Sequence, residues 1–532
     1  RPRVPTTAPA ARVRAGLTMQ SATAPLLLFL GRAKRSFLAG PAAGEPRALV
    51  YIGNAAGDLD TIVSSLTAAF VREQQPGGSG APGAPGGAPD APEAALHVPV
   101  LPFARADFRL RQDASLLLAH CGFELDGQGA PRELLFWDEV SAELAGAWRA
   151  AGLGLVLTDH NVLPPAVGAA LGQQVRGIID HHQDERQHLG TCADDGARRI
   201  DTSAGSSCSL VALEAAALQS CQEDAVLSTL LLGTIAADCR GFDPKQRRYD
   251  WADVTAAHTL LRQLQQQACQ QQAAAAATRD DGDDGVAALL LPRDAVTVDR
   301  AAARARASLL VIAAAVGGAS SVGALGDRIL QARFDVSELS AADLLKLDYK
   351  PASGGGYKVG VAAIFVSLSE FAQRCERSGG LAATMRAFAE EMGVAIVVGM
   401  TANEGGKGSA LAKRADGRKG FILLPADPAA AAATAALQVA LERAPAGLPP
   451  HFLEGETASL FINQGIASGG FGLDFGSPPP CVAADGDAEG GAEAGEEGGA
   501  RLAVSALNKQ ITRKTMLPSI LHYLNAHAAS KS

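Results

Sequence analysis

Short apolar runs closed by polar or glycine residues recur along the first half of the chain, at 48–53, 96–101, 133–137, 153–158 and 175–179. Runs of this length, bounded by turn residues, predict buried strands. Between and beyond them apolar positions recur at helical spacing, opening at Asp60-Thr61 and running to Phe70, and again over 206–218 and 224–237. Strands alternating with helices predict a parallel α/β sheet with right-handed crossovers. Residues 26–37 have the same helical spacing and predict a first helix. A connecting helix is expected over 301–316, followed by strands at 358–366, 394–399 and 421–424 and a last helix near 516–525. That second series predicts a smaller α/β unit.

Three stretches break the pattern. Residues 75–92 are Gly/Pro/Ala-rich, 265–284 are a Gln/Ala tract with an acidic patch, and 476–499 are Gly/Ala/acidic. They read as loops or inserts that add nothing to a core. At 532 residues the chain exceeds one ordinary core. The expected organisation is a disordered or targeting segment over 1–21, a catalytic domain over 22–320 and a second domain over 335–532.

Composition narrows the function. With 47% hydrophobic and 19% charged residues, wholesale disorder is excluded. A net charge of −9 lacks the basic footprint of a general nucleic-acid binder, so a polyanionic ligand would need locally concentrated cations. Eight cysteines with no CxxC pair argue against a zinc ribbon or a reactive dithiol, and read as reduced thiols. No apolar run approaches a membrane span, so a cytoplasmic protein without membrane association is expected. Residues 1–44 carry seven basic residues and no acidic one, the composition of an organellar transit peptide. The competing reading takes Met19 as the working start. Oligomeric state stays open.

The ionisable residues cluster after predicted strands, where open α/β sheets bind ligands. Gly53-Asn54-Ala55-Ala56-Gly57-Asp58-Leu59-Asp60 follows the first strand, Thr158-Asp159-His160-Asn161 another, and Asp180-His181-His182 the next. Asp238 closes the apolar stretch over 230–237. Singly, each has an ordinary reading as a helix cap or a polar loop. Together, the carboxylates would repel one another and take up protons unless cations neutralised them. Oxygen-rich ligation with one imidazole suits two divalent ions, Mn²⁺ or Mg²⁺, better than thiolate-bound zinc. Two such ions about 3.5–4 Å apart can share a hydroxide and present it to a phosphorus atom.

This ordered set, GNxxxDLD, DHN, DHH and a later Asp, resembles the DHH phosphoesterase superfamily. Gly53-Asn54, where family II pyrophosphatases have Gly-His, resembles its exopolyphosphatase/prune branch. The stretch Asp180-His181-His182-Gln183-Asp184-Glu185 is more similar to a fungal-type exopolyphosphatase than to animal prune, which has Arg at the position of His182. The resemblance implies that Asp58 and Asn54 bind one metal, that Asp60, His181 and Asp238 bind the other, and that Asp159 bridges both. It implies that His182 contacts the transferring phosphoryl group and that Asp180 supports the imidazoles. His160 receives no role. Gly205-Ser206-Ser207-Cys208 resembles the family's Gly-Ser turn before a helix, and reads equally well as a plain N-cap.

Farther along, Leu347-Asp348-Tyr349-Lys350 and Thr512-Arg513-Lys514 resemble the substrate motifs of the DHHA2 domain. Lys350, Arg513 and Lys514 would then grip phosphate. The GGGH signature of a RecJ-like nuclease is missing, since Tyr357 follows Gly354-Gly355-Gly356. Ala55 and Ala56 depart from the usual Glu-Ser, and Thr512 from the usual Ser. The implied protein is an α/β exopolyphosphatase with a parallel-sheet DHH domain, a smaller DHHA2 domain and an active site in the cleft between them. A metal-activated hydroxide would release orthophosphate from inorganic polyphosphate, with His182, Asp159, Lys350 and Arg513 as catalytic residues. Alternatives are an inorganic pyrophosphatase, a cyclic-nucleotide phosphodiesterase, or a non-catalytic phosphate-binding protein.

Overall fold

The computed structural model describes residues 24–41, 48–54, 56–75, 95–190, 192, 197–217, 224–276, 297–308, 319–403, 418–443, 503–508 and 513–530. The expectations for 1–21, 76–92, 277–284 and 476–499, and those for Ala55 and Thr512, lie outside the described residues. The chain folds as two compact units, residues 1–335 and 336–532.

In the first unit, α1 (Pro25–Ala39) precedes β1 (Ala48–Ile52), α2 (Leu59–Glu73), β2 (Leu96–Leu101), α3 (Gln112–His120) and β3 (Leu135–Phe136). Then come α4 (Ala142–Ala150), β4 (Gly154–Thr158), α5 (Pro165–Leu171), β5 (Val175–Asp180), β6 (Arg198–Ile200) and α6 (Ser207–Ala217). Four helices close the unit: α7 (Ala225–Asp238), α8 (Trp251–Ala276), α9 (Val298–Ala307) and α10 (Val322–Arg333). All six strands run parallel in the order β3-β2-β1-β4-β5-β6. The order reverses at β1, which pairs with β2 on one side and β4 on the other. That reversal opens a crevice at the carboxyl ends of β1 and β4.

Burial explains why these segments take these forms. The β4 segment Gly-Leu-Val-Leu-Thr is buried throughout, as a strand covered on both faces must be. Leu26, Phe29, Leu30, Ala33 and Phe37 form the buried stripe of α1. Phe37 stacks on Trp148 with ring centroids 5.2 Å apart, and the indole N–H of Trp148 donates to the Phe37 carbonyl at 2.9 Å. These contacts anchor a segment whose basic composition suggested targeting.

Two expectations need correction. Residues 265–276 are the continuation of α8 rather than an insert; Ala and Gln are strong helix formers, so the tract extends the helix without a new apolar face. The strand expected over 133–137 shrinks to Leu135–Phe136, because Trp137–Glu139 turn into a 3₁₀ helix. Asp238 ends α7, the helix expected over 224–237. The short strand β6 was not expected, since its half-buried Arg-Arg-Ile carries no apolar run.

The second unit holds α11 (Ala341–Leu347), β7 (Tyr349–Gly354), β8 (Tyr357–Ser367), α12 (Leu368–Cys375), α13 (Leu381–Met392), β9 (Ile396–Asn403), β10 (Arg418–Pro425) and β11 (Ala503–Asn508). Two further helices span Ala431–Arg443 and Arg513–Ala529. Its sheet runs β11-β10-β9-β8-β7, with only the β8/β9 pair parallel. Val359, Val361, Ile396, Val398 and Leu423 meet Ile520 and Leu524 in its core. No helix among the described residues is long and apolar enough to cross a membrane.

Candidate metal centre at the carboxyl edge of the parallel sheet

The loop after β1 is built around two glycines and an arginine. Gly57 has φ +58°, and a Cβ there would lie 2.3 Å from the Phe103 ring. Arg111 is buried and donates from Nε to the Gly57 carbonyl at 2.7 Å, and also to the Ala56 carbonyl, with its guanidinium 5.4 Å from the Phe103 ring. This clamp sets Asp58 at the N-cap of α2, where its Oδ1 accepts from the Thr61 N–H at 3.1 Å. Asp58 is exposed, whereas Asp60, in the first turn of the helix, is buried.

Asp60 is held from the far side of the unit. Its Oδ1 accepts from the Ser206 hydroxyl at 2.8 Å and the Cys208 N–H at 3.0 Å, and its Oδ2 from the Ser207 N–H at 2.7 Å. These donors belong to the start of α6, so the Gly205-Ser206-Ser207-Cys208 turn fixes a carboxylate as well as opening a helix. Backbone N–H groups at a helix N-terminus suit a negative partner.

Asp159 follows β4 in left-handed backbone, φ +61°, and is buried. Its Oδ2 accepts from the Asn54 amide at 2.8 Å and the Thr61 hydroxyl at 2.7 Å, and its Oδ1 from the Ser207 hydroxyl at 3.4 Å. The Asn54 side-chain oxygen meanwhile accepts from the Ala56 N–H at 2.9 Å. Both ends of the Asn54 amide are thus engaged, one closing its own loop and the other steering Asp159.

After β5, the two histidines take different supports. His181 Nδ1 lies 3.0 Å from the Ala204 carbonyl, which turns Nε2 to within 3.3 Å of Asp159 Oδ1 and 3.7 Å of Asp60 Oδ2. His182 Nδ1 lies 2.9 Å from Asp180 Oδ1 and 3.7 Å from Asp159 Oδ1, with an exposed ring. Asp180 also accepts the His181 and His182 N–H groups, and the Asn161 amide at 2.6 Å. Its carboxylate therefore supports one imidazole, that of His182, and the backbone of both. His160 turns back onto its own strand, Nδ1 2.9 Å from the Thr158 carbonyl.

Asp238 reaches the same region from the end of α7. Its Oδ1 lies 3.8 Å from Nη2 of Arg333, whose Nε donates to Asp113 at 2.5 Å, while its Oδ2 is buried without a hydrogen-bond partner. Such an orphaned oxygen is costly in a dry site.

The electrostatics ask for a cation. Burial and then the neighbouring Asp159 raise the Asp60 carboxyl; burial and then Asp58 raise Asp159. Burial and Asp60 push Asp238 up to about 8, against the opposing pull of Arg333. Burial would lower His181, yet Asp159 and Asp60 outweigh it and push the imidazole up to about 10. Each shift shows protons standing where positive charge is wanted. Asp159, His181 and His182 each offer a ligand atom, all within 4.8 Å of one another. Carboxylate oxygens with imidazole nitrogen and no thiolate fit a divalent ion such as Mn²⁺ or Mg²⁺.

Of the expected site residues, Asn54, Asp58, Asp60, Asp159, His181, His182 and Asp238 all belong to this one edge of the first unit. Lys350 is exposed near the start of β7, and Arg513 and Lys514 begin the last helix of the second unit, their side chains lying outside the described residues. Sequence reasoning missed Thr61, Asn161, Arg111 and Arg333. The signal for Thr61 and Asn161 was adjacency to the motifs; Arg111 and Arg333 had none.

Residues 327–523 match the family model described as the DHHA2 domain. Exopolyphosphatase PRUNE1 of Bos taurus is 27% identical over 354 residues, 66% of this chain and 59% of that protein. Exopolyphosphatase PRUNE1 of Homo sapiens is 27% identical over 355 residues, with the same coverage of each chain. The match thus spans about 59% of the length of these relatives. A candidate family II inorganic pyrophosphatase of Methanococcus jannaschii superposes with a TM-score of 0.40 at 12% identity, covering 90% of this chain and 99% of that one. Residues 327–523 carry a DHHA2 domain, and together with the likeness to the PRUNE1 exopolyphosphatases this supports a place in the DHH superfamily, on its prune/exopolyphosphatase branch.

Proposed function

We propose that this protein is a metal-dependent phosphohydrolase that removes terminal phosphate from inorganic polyphosphate. The observation that carries the reading is the convergence of Asp159, His181 and His182 ligand atoms within 4.8 Å at the switch point of the sheet. Relatives that bear the name exopolyphosphatase favour the phosphoanhydride substrate.

In this reading Asp58, Asp60, Asp159, His181 and Asp238 hold two divalent ions, Mn²⁺ or Mg²⁺. Bound ions of this kind offset phosphoryl charge and lower the pKa of water, supplying a nucleophile at neutral pH. The rest is the work of the chain. Asn54 and Thr61 fix Asp159 by hydrogen bonds of 2.8 and 2.7 Å, so Asn54 acts by positioning rather than as a ligand. Asp180 engages Nδ1 of His182, which leaves Nε2 to donate to a phosphoryl oxygen. The same contact raises the His182 pKa, which favours the protonated ring in that role. Lys350, Arg513 and Lys514 supply cations for the phosphate chain, the guanidinium as a bidentate fork.

Phosphate release from long-chain polyphosphate, tripolyphosphate, pyrophosphate and cyclic AMP, each with Mn²⁺ or Mg²⁺, tests the reading. Release from the two polyphosphates, abolished by a chelator, is expected. Turnover of cyclic AMP or pyrophosphate alone would replace the substrate, and no turnover of any would overturn the hydrolase.

A further inference from the structure

The helix α8 contributes a buried carboxylate that the chemistry above leaves unused. Asp253, in its first turn, is fully buried, and among the described residues no cation pairs with it. Its Oδ2 accepts from the Asp250 N–H at 2.8 Å, which caps the start of its own helix. A cap requires no more than that. The other two bonds leave the helix: Oδ2 also accepts from the Gly205 N–H at 2.8 Å, and Oδ1 from the Ser209 hydroxyl at 2.5 Å. A carboxylate taken out of water must be satisfied by donors, and two of these three belong to the start of α6.

The Gly205 N–H is one end of a peptide unit whose other end is the Ala204 carbonyl. N–H and C=O of a trans peptide point to opposite sides, so this unit spans from Asp253 to His181. The carbonyl lies 3.0 Å from Nδ1 of His181 and can only accept. It therefore fixes the ring proton on Nδ1 and leaves the Nε2 lone pair to face the carboxylates. Close packing holds the unit in place: a Cβ on Gly205 would lie 2.4 Å from the Arg248 carbonyl oxygen and 2.9 Å from Cys239 Sγ. The next residues turn to Asp60, through the Ser206 hydroxyl and the N–H groups of Ser207 and Cys208. One short turn thus joins Asp253 to two residues of the proposed metal centre.

We propose that Asp253 is a positioning residue of the metal centre, orienting His181 through the Ala204–Gly205 peptide and setting Asp60 through the same turn. The role rests on the metal-bound reading of the site given above, and not on which phosphate compound is cleaved. Hydrogen bonds in series polarise one another. The Asp253 charge makes the Ala204 carbonyl a stronger acceptor and His181 a stronger electron donor at Nε2. A carboxylate does the same when it touches a ligating imidazole directly. Here a peptide stands between the two. Ser209 holds the remaining oxygen, so the carboxylate cannot turn away from that peptide.

Calorimetric titration of Mn²⁺ into the full chain, with the visible absorption of the Co²⁺-loaded protein, tests the role without turnover. Asp253→Asn keeps the size of the side chain and removes its charge and one acceptor oxygen. Mn²⁺ affinity should fall by about 10–100-fold and the Co²⁺ bands should shift. Ser209→Ala should act in the same sense and more weakly, and it carries the measurement if Asp253→Asn does not fold. Ser141→Ala, which removes the N-cap of α4, controls for lost stability alone. It should lower the melting temperature and leave Mn²⁺ affinity and the Co²⁺ bands at wild-type values. Wild-type affinity and bands in folded Asp253→Asn, or in Ser209→Ala where that alone folds, would overturn the role, as would an equal loss in Ser141→Ala. The two readings fail separately: a protein that needs Asp253 to bind Mn²⁺ but hydrolyses nothing keeps the positioning role and loses the hydrolase. Hydrolysis with Asp253-independent Mn²⁺ binding does the reverse, and a wild type that binds no divalent ion overturns both.

Discussion

Nε2 of His181 lies 3.3 Å from Oδ1 of Asp159, across the neighbouring strands β5 and β4, while Nδ1 of the same ring is fixed on the Ala204 carbonyl. One ring nitrogen is thus spent on structure and the other is presented to the carboxylates. Metal ligation needs that nitrogen unprotonated, yet without metal the carboxylates push His181 up to about 10. Metal and proton therefore compete for one atom.

That competition ranks two substitutions. Asp159→Asn removes the charge closest to His181 and should abolish most metal-dependent turnover. Asn54→Ala keeps the charge and removes the 2.8 Å hydrogen bond that aims it. Loss of such an outer support typically costs about 10–100-fold in metal affinity. Mn²⁺ titration of both variants should show the larger loss in Asp159→Asn; equal affinity in Asn54→Ala and wild type would remove the positioning role.

The metal-free protein should lose stability as pH rises through the range about 7 to 9. The sign follows from proton binding. His181 is raised from 6.5 to about 10, so its contribution is whole below about 6.5 and lost as pH climbs through 10. Asp238 is raised from 3.8 to about 8, so the fold favours its protonated form and its contribution falls as pH rises from 3.8 through about 8, overlapping the lower part of that range. Buried His97 and His120, whose pKa values are lowered, act in the opposite sense only below about 6.5. Mn²⁺ should flatten the slope by taking the place of the protons, and Asp238→Asn should reduce it. Melting temperatures with chelator and with Mn²⁺ decide; a rise between pH 7 and 9 without metal would contradict the account.

Gly57→Ala should destabilise the first unit and weaken metal binding together. A left-handed alanine costs about 1–2 kcal/mol. Its methyl would start 2.3 Å from the Phe103 ring, adding overpacking of about 1–3 kcal/mol. Denaturant unfolding measures the first effect and Mn²⁺ titration the second. Wild-type values for both would show that the loop tolerates another path to Asp58.

Arg513 tests the role proposed for the second unit. Arg513→Ala should raise KM and lower kcat on polyphosphate while leaving Mn²⁺ affinity unchanged. Arg513→Lys should recover only part, since an ammonium cannot replace the bidentate fork. Unaltered kinetics in Arg513→Ala would assign substrate binding to other residues.

The sequence by itself determined the strands that carry the site and the chemistry at their ends. A parallel strand buried on both faces needs an unbroken apolar run, so β1, β4 and β5 were legible, and Asp58, Asp60, Asp159, His181 and His182 follow them within a few residues. The second sheet was legible in β8, β9 and β10 for the same reason; β7 and β11, with Gly, Pro, Ser and Asn among their residues, were not. Only the tertiary structure decided that the motif ends meet, because the reversal of strand order at β1 is a property of the whole sheet. It also decided which partners hold them. Ser206 reaches Asp60 across 146 positions, and Arg333 reaches Asp113 across 220. Contacts of that length leave no local pattern in the chain. A buried carboxylate must be satisfied by whichever donor the fold brings near, and proximity of that kind exists only once the chain has folded.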